Sequence, residues 1–296
     1  MESTSNENLK FVYFGGEPIG APVLKELIAC GLTPALVVCN PDRPAGRGQQ
    51  LTPPPVKTLA EAHSIEVWQP ENLSDQAAVT EKLTAYDLFV VVAYNRILPE
   101  WLIELPKQKT INLHPSLLPL RRGPNPIRSA ILEDDRDSIG VSVMLLDVEM
   151  DHGPILAQQA MSIADEHWPM TGPELDEALA NLGGALLADT IPKWVAGEIE
   201  PQAQDDTRAT YTKKLTKADG ELQIDPHYLP SGEAARQTLH QIRAFAGWPG
   251  TYFIHAGTRI KINDADIVDG TLHLTSITPE GKRPMNFDQW LPSNNR

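Results

Sequence analysis

The sequence predicts an α/β chain: a domain with a mostly parallel sheet, followed by a small antiparallel β module that closes as a barrel. Over the first two thirds, short apolar runs alternate with amphipathic stretches at the spacing of βαβ units. The polar tract EIEPQAQDDTRAT then interrupts the pattern, and beyond it three segments alternate apolar and polar residues between Gly and Asp turns. These observations divide the chain into a first domain over residues 1–199, a linker over 200–209 and a C-terminal β-barrel domain over 210–296.

Taken in order, KFVYFGG is an apolar run closed by glycines, a first buried strand. EPIGAPVLKELIACG carries apolar residues at helical spacing and ends on Gly31, suited to the position after a helix. TPALVVCN is a second strand, and PDRPAGRGQQLTPPP, rich in Gly and Pro, reads as one long loop. VKTLAEAH, IEVWQP and DQAAVTEKLTAY read as helix, strand and helix. DLFVVVAY is a continuous β-branched and aromatic run, the mark of a strand buried on both faces. After a short helical stretch at PEWLIELP comes KTINLH, the next strand; SIGVSVMLLD and ILAQQAMSI extend the sheet. GPELDEALANLGGALLADTIPKWVAG is a long amphipathic helix. In the C-terminal part RQTLHQIRAF is helical, and GTYFIHAG, TRIKINDADIVDG and TLHLTSI are the alternating strands.

Composition narrows the function. With 41% hydrophobic and 22% charged residues among 296, the chain is that of a soluble globular protein. Its polar N-terminus and the lack of an 18-residue apolar run predict a cytoplasmic protein without membrane attachment. Cys30 and Cys39, both in apolar segments, read as reduced core thiols, and no Cys/His spacing suits a metal. The net charge of −14 disfavours broad nucleic-acid affinity, but it is uneven. Residues 1–206 hold 14 Lys+Arg against 30 Asp+Glu, and residues 207–296 hold 11 against 9. The glycine turn FGGEPIGAPVL lacks G-x-G-x-x-G spacing, and no acidic residue ends the second strand, so a dinucleotide site is disfavoured.

The chemistry-bearing stretch is TINLHPSLLPLRRGPNP. Asn112 and His114 are two apart at the end of a core strand, so both face one side. Pro115 stops the strand and restricts the backbone of His114. Ligands of open α/β sheets lie beyond the carboxyl ends of such strands. Downstream, LLDVEMDHGPI offers Asp147 and Asp151 beside the turn-permitting Gly153. Asp151 brought against Asn112 and His114 makes an amide, imidazole and carboxylate set without a paired Ser or Cys nucleophile. That set suits direct attack by an amine on an activated acyl carbon. A structural histidine and a plain turn aspartate are the bland alternatives.

NLHPSLLPLRRG with the later DVEMDHGPIL resembles the two-part signature of folate-dependent formyltransferases, N-x-H-x-S-L-L-P-x-x-R-G and then D-x-x-x-D-x-G. Similarity to a member that formylates an aminoacyl-tRNA extends over PDRPAGRGQQLTPPPVKTLAEAHSIEVWQPENL, VVVAYNRILP, YTKKLTKADGELQID, IRAFAGWPGTYF and LTSITPEGKRPM, nearly end to end. The resemblance implies a Rossmann-like catalytic domain and a smaller OB-like barrel. It implies transfer of the formyl group of 10-formyltetrahydrofolate to the α-amino group of methionine on initiator tRNA, without a metal and by a monomer. It implies Asn112, His114 and Asp151 as the catalytic trio. Folate contacts implied are Ser116, Leu117, Leu118 and Pro119, then Val92, Ala93 and Tyr94, with Val143 and Asp147. The tRNA contacts implied are Arg43, Arg47 and Lys214. The chain departs from the family pattern at Asn95-Arg96 and Pro124-Asn125. It also runs from DADIVDG almost directly into TLHLTSI, which implies a barrel shortened by roughly a hairpin. A formyltransferase acting on a nucleotide-sugar amine or another small amine is the main alternative. A non-catalytic RNA-binding protein and an NAD-dependent reductase fit less well.

Overall fold

A computed structural model describes residues 9–45 and 48–293. Its main sheet has seven strands: β1 (Phe11–Gly15), β2 (Leu36–Val38), β5 (Glu66–Trp68), β6 (Leu88–Val92), β7 (Thr110–His114), β8 (Gly140–Leu145) and β9 (Ile155–Ala160). Their order is β5-β2-β1-β6-β7-β8-β9. The first five are parallel, while β8 runs antiparallel to β7 and β9 antiparallel to β8. Every residue of β1, β6 and β7 is buried, as strands covered on both faces require. Burying each large apolar side chain contributes roughly 1.5–3 kcal/mol, so these strands form a stiff platform. Strand order reverses between β1 and β6, which places a ligand crevice beyond their carboxyl ends and that of β7.

The stretch read as one long loop contains a hairpin. β3 (Arg43–Ala45) pairs antiparallel with β4 (Gln50–Thr52), Arg43 opposite Thr52. Pro44 tolerates this because a two-stranded ribbon has a free edge, where no donor is needed. The reading of both cysteines as core thiols also needs correcting. Cys39 is buried, but Cys30 caps α1 (Gly20–Ala29) on its exposed side.

The chain divides into two compact units that follow no single cut. The first comprises residues 1–122, 140–161 and 176–211; the second comprises 123–139, 162–175 and 212–296. The expected linker over 200–209 therefore falls wholly within the first unit, where Gln202 bridges Ile155 of β9. The physical reason is hydrogen bonding: a polar tract can be sewn to its neighbours as readily as it can hang free.

In the second unit, α5 (Pro126–Leu132) and α7 (Gly232–Ala244) meet through His240 Nδ1, which lies 2.7 Å from the Ile131 carbonyl. Its sheet has the order β10-β11-β12-β13, with β10 at Thr251–His255, β11 at Thr258–Val268, β12 at Thr271–Pro279 and β13 at Met285–Asn286. Phe253, Ile260, Ile262, Leu274 and Ile277 form its core with Phe287 and Trp290 of α8 (Phe287–Ser293). Asp269 and Gly270, both at positive φ, join β11 to β12 by a two-residue hairpin turn. The four antiparallel strands are consistent with a small barrel. Among the described residues no helix is long and apolar enough to cross a membrane.

Candidate active site

Strand β7 has two faces with different duties. On one, Leu113 meets α6 (Gly172–Val195) so closely that a Cβ on Gly183 would lie 2.5 Å from its Cδ2. Asn112 and His114 point the other way, as their cross-strand partners Met144 and Ser142 do. Asn112 is 8% and His114 4% exposed. The Asn112 amide makes no hydrogen bond among the described residues, so it remains available to a ligand.

His114 is held from two sides. Its Nε2 lies 3.0 Å from the Arg121 carbonyl, which can only accept, so Nε2 carries the proton. Nδ1 then faces Asp151 Oδ1 at 3.6 Å. That separation is too long for a direct hydrogen bond but close enough for an ion pair. With the ring neutral, the Nδ1 lone pair would oppose the carboxylate. A proton between the two would turn that opposition into attraction.

Two backbone positions beside His114 are strained. Arg121 has φ 61° and Asp151 has φ 51°. Each left-handed non-glycine residue costs roughly 1–2 kcal/mol, and such strain collects where function needs it. The turn carrying Asp151 is tightly specified. Asp147 Oδ1 accepts from the Glu149 amide at 2.9 Å, and its Oδ2 lies 2.7 Å from His152 Nδ1. A Cβ on Gly153 would lie 1.9 Å from the Leu145 carbonyl, so only glycine fits there. The hydrogen bond to Asp147 raises the pKa of the His152 imidazole. Arg122 holds the Asp206 carboxyl below the usual range.

The segment leaving β7 is pinned by a buried junction. Ser142 Oγ donates to the Ser116 carbonyl at 2.6 Å and accepts from the Leu118 amide at 3.1 Å. Gln158 Nε2 donates to Ser142 Oγ and to the Leu118 carbonyl, both at 2.8 Å. Ser116 and Leu118 are buried by this, while Leu117 and Pro119 keep part of their surface. Ala93 and Asp147 are likewise half-buried at the crevice.

At three of the expected folate positions the side chain is turned into the core. Val92 is wholly buried in β6. The ring of Tyr94 packs edge-on to Phe14, and burial pushes its hydroxyl up to about 12. Val143 lies opposite Leu113 and so shares the face turned towards α6, away from Asn112 and His114. At these positions only backbone can face the crevice. Arg43 is exposed on β3 and carries no ion pair among the described residues; Arg47 lies outside them. Lys214 is exposed in the second unit. Asn95, a departure from the family pattern, stands at φ 60°, which asparagine tolerates, and donates to the Glu17 carbonyl at 3.0 Å.

Sequence reasoning missed the residues that support the trio: Ser142, Gln158, Arg122, Gln204 and Thr210. Arg122 lies inside the recognised motif, but the others sit in stretches with no local signal.

The sequence and the fold have counterparts. Residues 9–191 match the family described as formyl transferase. The chain belongs to the formyl transferase family. A methionyl-tRNA formyltransferase of Chloroflexus aurantiacus is 38% identical over 310 residues, covering 96% of each chain. Among solved structures, a sugar N-formyltransferase from a Shewanella species superposes with a TM-score of 0.63 at 18% identity, covering 88% of this chain and 99% of its own. HypX from Aquifex aeolicus, solved with tetrahydrofolic acid, gives a TM-score of 0.62 at 14% identity, over 96% of this chain and 47% of its own. These two likenesses concern the fold alone.

Proposed function

We propose that the protein transfers the formyl group of 10-formyltetrahydrofolate to the α-amino group of methionine on initiator methionyl-tRNA, giving N-formylmethionyl-tRNA for translation initiation. The observation that carries the chemistry is the meeting of His114 and Asp151 at 3.6 Å beside the available Asn112 amide. What favours the tRNA acceptor is the end-to-end similarity to a relative of that name, together with an exposed arginine on the β3–β4 hairpin.

The residues fit a formyl donor seated over the ends of β6 and β7, where Asn112 stands in register with Val91. An α-amino group has a pKa near 7.7–8.0, so a sizeable fraction is already nucleophilic at neutral pH. The amine nitrogen forms a bond to the formyl carbon, and the carbonyl electrons move to its oxygen. Asn112 Nδ2 and a protonated His114 Nδ1 serve that oxyanion. The His114–Asp151 pair removes one proton from the attacking nitrogen. The bond from carbon to the folate nitrogen then breaks, and a proton returned to that nitrogen completes the exchange. Arg43, Arg47 and Lys214 would contact the tRNA, and the chain would act as a cytoplasmic monomer.

The test supplies labelled 10-formyltetrahydrofolate with either charged initiator tRNA or amino-sugar nucleotides. Label on methionyl-tRNA is the expected result. Label on the amino sugar alone would replace this acceptor with a small amine, and label on neither would remove the reaction.

A further inference from the structure

The polar tract after α6 does more than connect. Gln204 Nε2 donates to the carbonyls of Asp151 and Gly153, both at 2.8 Å. Its Oε1 accepts from Arg122 Nε at 3.0 Å and Nη2 at 2.9 Å, so the amide orientation is fixed by a guanidinium that can only donate. Arg122 is 1% exposed, and its Nη2 also reaches Asp206 Oδ1 at 2.7 Å. Asp206 Oδ2 stands 3.5 Å from His152 Nε2, whose other nitrogen is bound to Asp147. The same tract grips the opposite side of His114. Thr210 accepts from the Arg121 amide through Oγ1 at 2.8 Å and from the Arg122 amide through its carbonyl at 2.9 Å. Its own amide donates to the Pro119 carbonyl.

Thus one segment holds both strained residues that flank the imidazole: Arg121, whose carbonyl fixes Nε2, and Asp151, whose carboxylate faces Nδ1. We propose that residues 204–211 form a positioning strap for the His114–Asp151 pair, with Gln204 as the residue that sets the place of the Asp151 carboxylate. Gln204 touches no reacting atom and acts only through Asp151. The inference rests on the formyl-transfer reading for its kinetic arm, and its second arm does not.

Gln204→Glu is the discriminating substitution. It keeps an acceptor for Arg122, so the buried guanidinium stays paired, but it removes the donor to two carbonyls. Single-turnover formylation should fall roughly 10- to 100-fold, the range a misplaced group produces, with KM for both substrates within about twofold. In an Asp151→Ala background the same change should cost less than about twofold, because groups acting as a unit are not additive. Amide hydrogen exchange of residues 147–155 should quicken in Gln204→Glu while β1 and β6 keep their protection. An additive loss with Asp151→Ala, or a KM effect equal to that on turnover, would overturn the strap. So would unchanged exchange at 147–155, even if the wild-type protein proved to formylate nothing.

Discussion

The exit of β7 and the β3–β4 hairpin are both loops beside the crevice of one sheet, yet they are built in opposite ways. At the exit of β7 three polar residues are buried and held: His114 at two nitrogens, Ser116 through Ser142, Arg122 through Gln204 and Asp206. On the hairpin the side chains of Arg43, Gln50, Leu51 and Thr52 face solvent. The hairpin's base, by contrast, is clamped. Asp42 takes Lys57 at 2.9 Å and Gln69 at 2.7 Å, and both bonds hold its carboxyl below the usual range. Nearby Arg96 is fixed by Asn40 and the Pro70 carbonyl, beside an open cleft of about 340 Å³ lined by Arg43, Leu73 and Ile97. The difference fits a division of labour. Chemistry needs groups that cannot reorganise during the reaction, whereas gripping a large anionic partner needs exposed charge on a firm hinge.

If that division is right, the largest effects belong to the buried exit. His114→Ala or Asp151→Ala should lower turnover about 10²- to 10⁴-fold, the worth of a positioned general acid or base, with an unchanged circular dichroism spectrum. Normal turnover in both would sink the proton-exchanging pair. Asn112→Ala should follow at about 10²- to 10³-fold, as expected when one oxyanion donor is lost. Because its amide has no partner within the described residues, thermal stability should hardly move. A loss of stability matching the loss of rate would make Asn112 a structural residue.

The hairpin should answer differently. Arg43→Ala should raise KM for methionyl-tRNA roughly tenfold, while KM for the folate stays put. The slope of log affinity against log salt should shrink by about 0.7–0.9, the signature of one phosphate contact removed. An equal effect on both substrates, or an unchanged salt slope, would erase the distinction between the two regions.

The two regions also differ in how far the sequence announced them. Asn112, His114 and Pro115 stand out because alternation in a buried strand and the backbone restriction of proline are local rules. The alternation of apolar runs likewise placed β1, β2, β5, β6 and β7 and the long helix α6. The supporting network obeys no such rule. Gln204 and Thr210 lie in a tract whose composition resembles a linker, and only the folded chain brings them to Asp151 and Arg121, some fifty and ninety positions away in sequence. Burial of Tyr94 and Val143 was hidden for a related reason. A strand end near a crevice exposes backbone on one side and core on the other, and the pleat decides which residue is which. The hairpin was masked by its Gly and Pro content, although a ribbon tolerates Pro44 at its free edge.

The smallest expected effect tests whether the held exit responds to pH through His152. Its imidazole titrates above its ordinary value because Asp147 accepts a hydrogen bond from it, with Asp206 beyond. A group whose pKa is raised by folding stabilises the fold fully below its unfolded value near ~6.5. That contribution fades as pH climbs through the raised value. The turn from Asp147 to Gly153 should therefore be firmest at mildly acid pH and loosen under alkaline conditions. Because His152 is about one third exposed, solvent weakens the pairing, and the shift in Tm between pH 6 and pH 9 should be a few degrees at most. His152→Gln should flatten that dependence and leave turnover at pH 7 within a few-fold, since Gln204 still holds the Asp151 and Gly153 carbonyls. If the Tm difference persists in His152→Gln, the titrating group lies elsewhere and the exit owes its firmness to Arg122 and Gln204 alone.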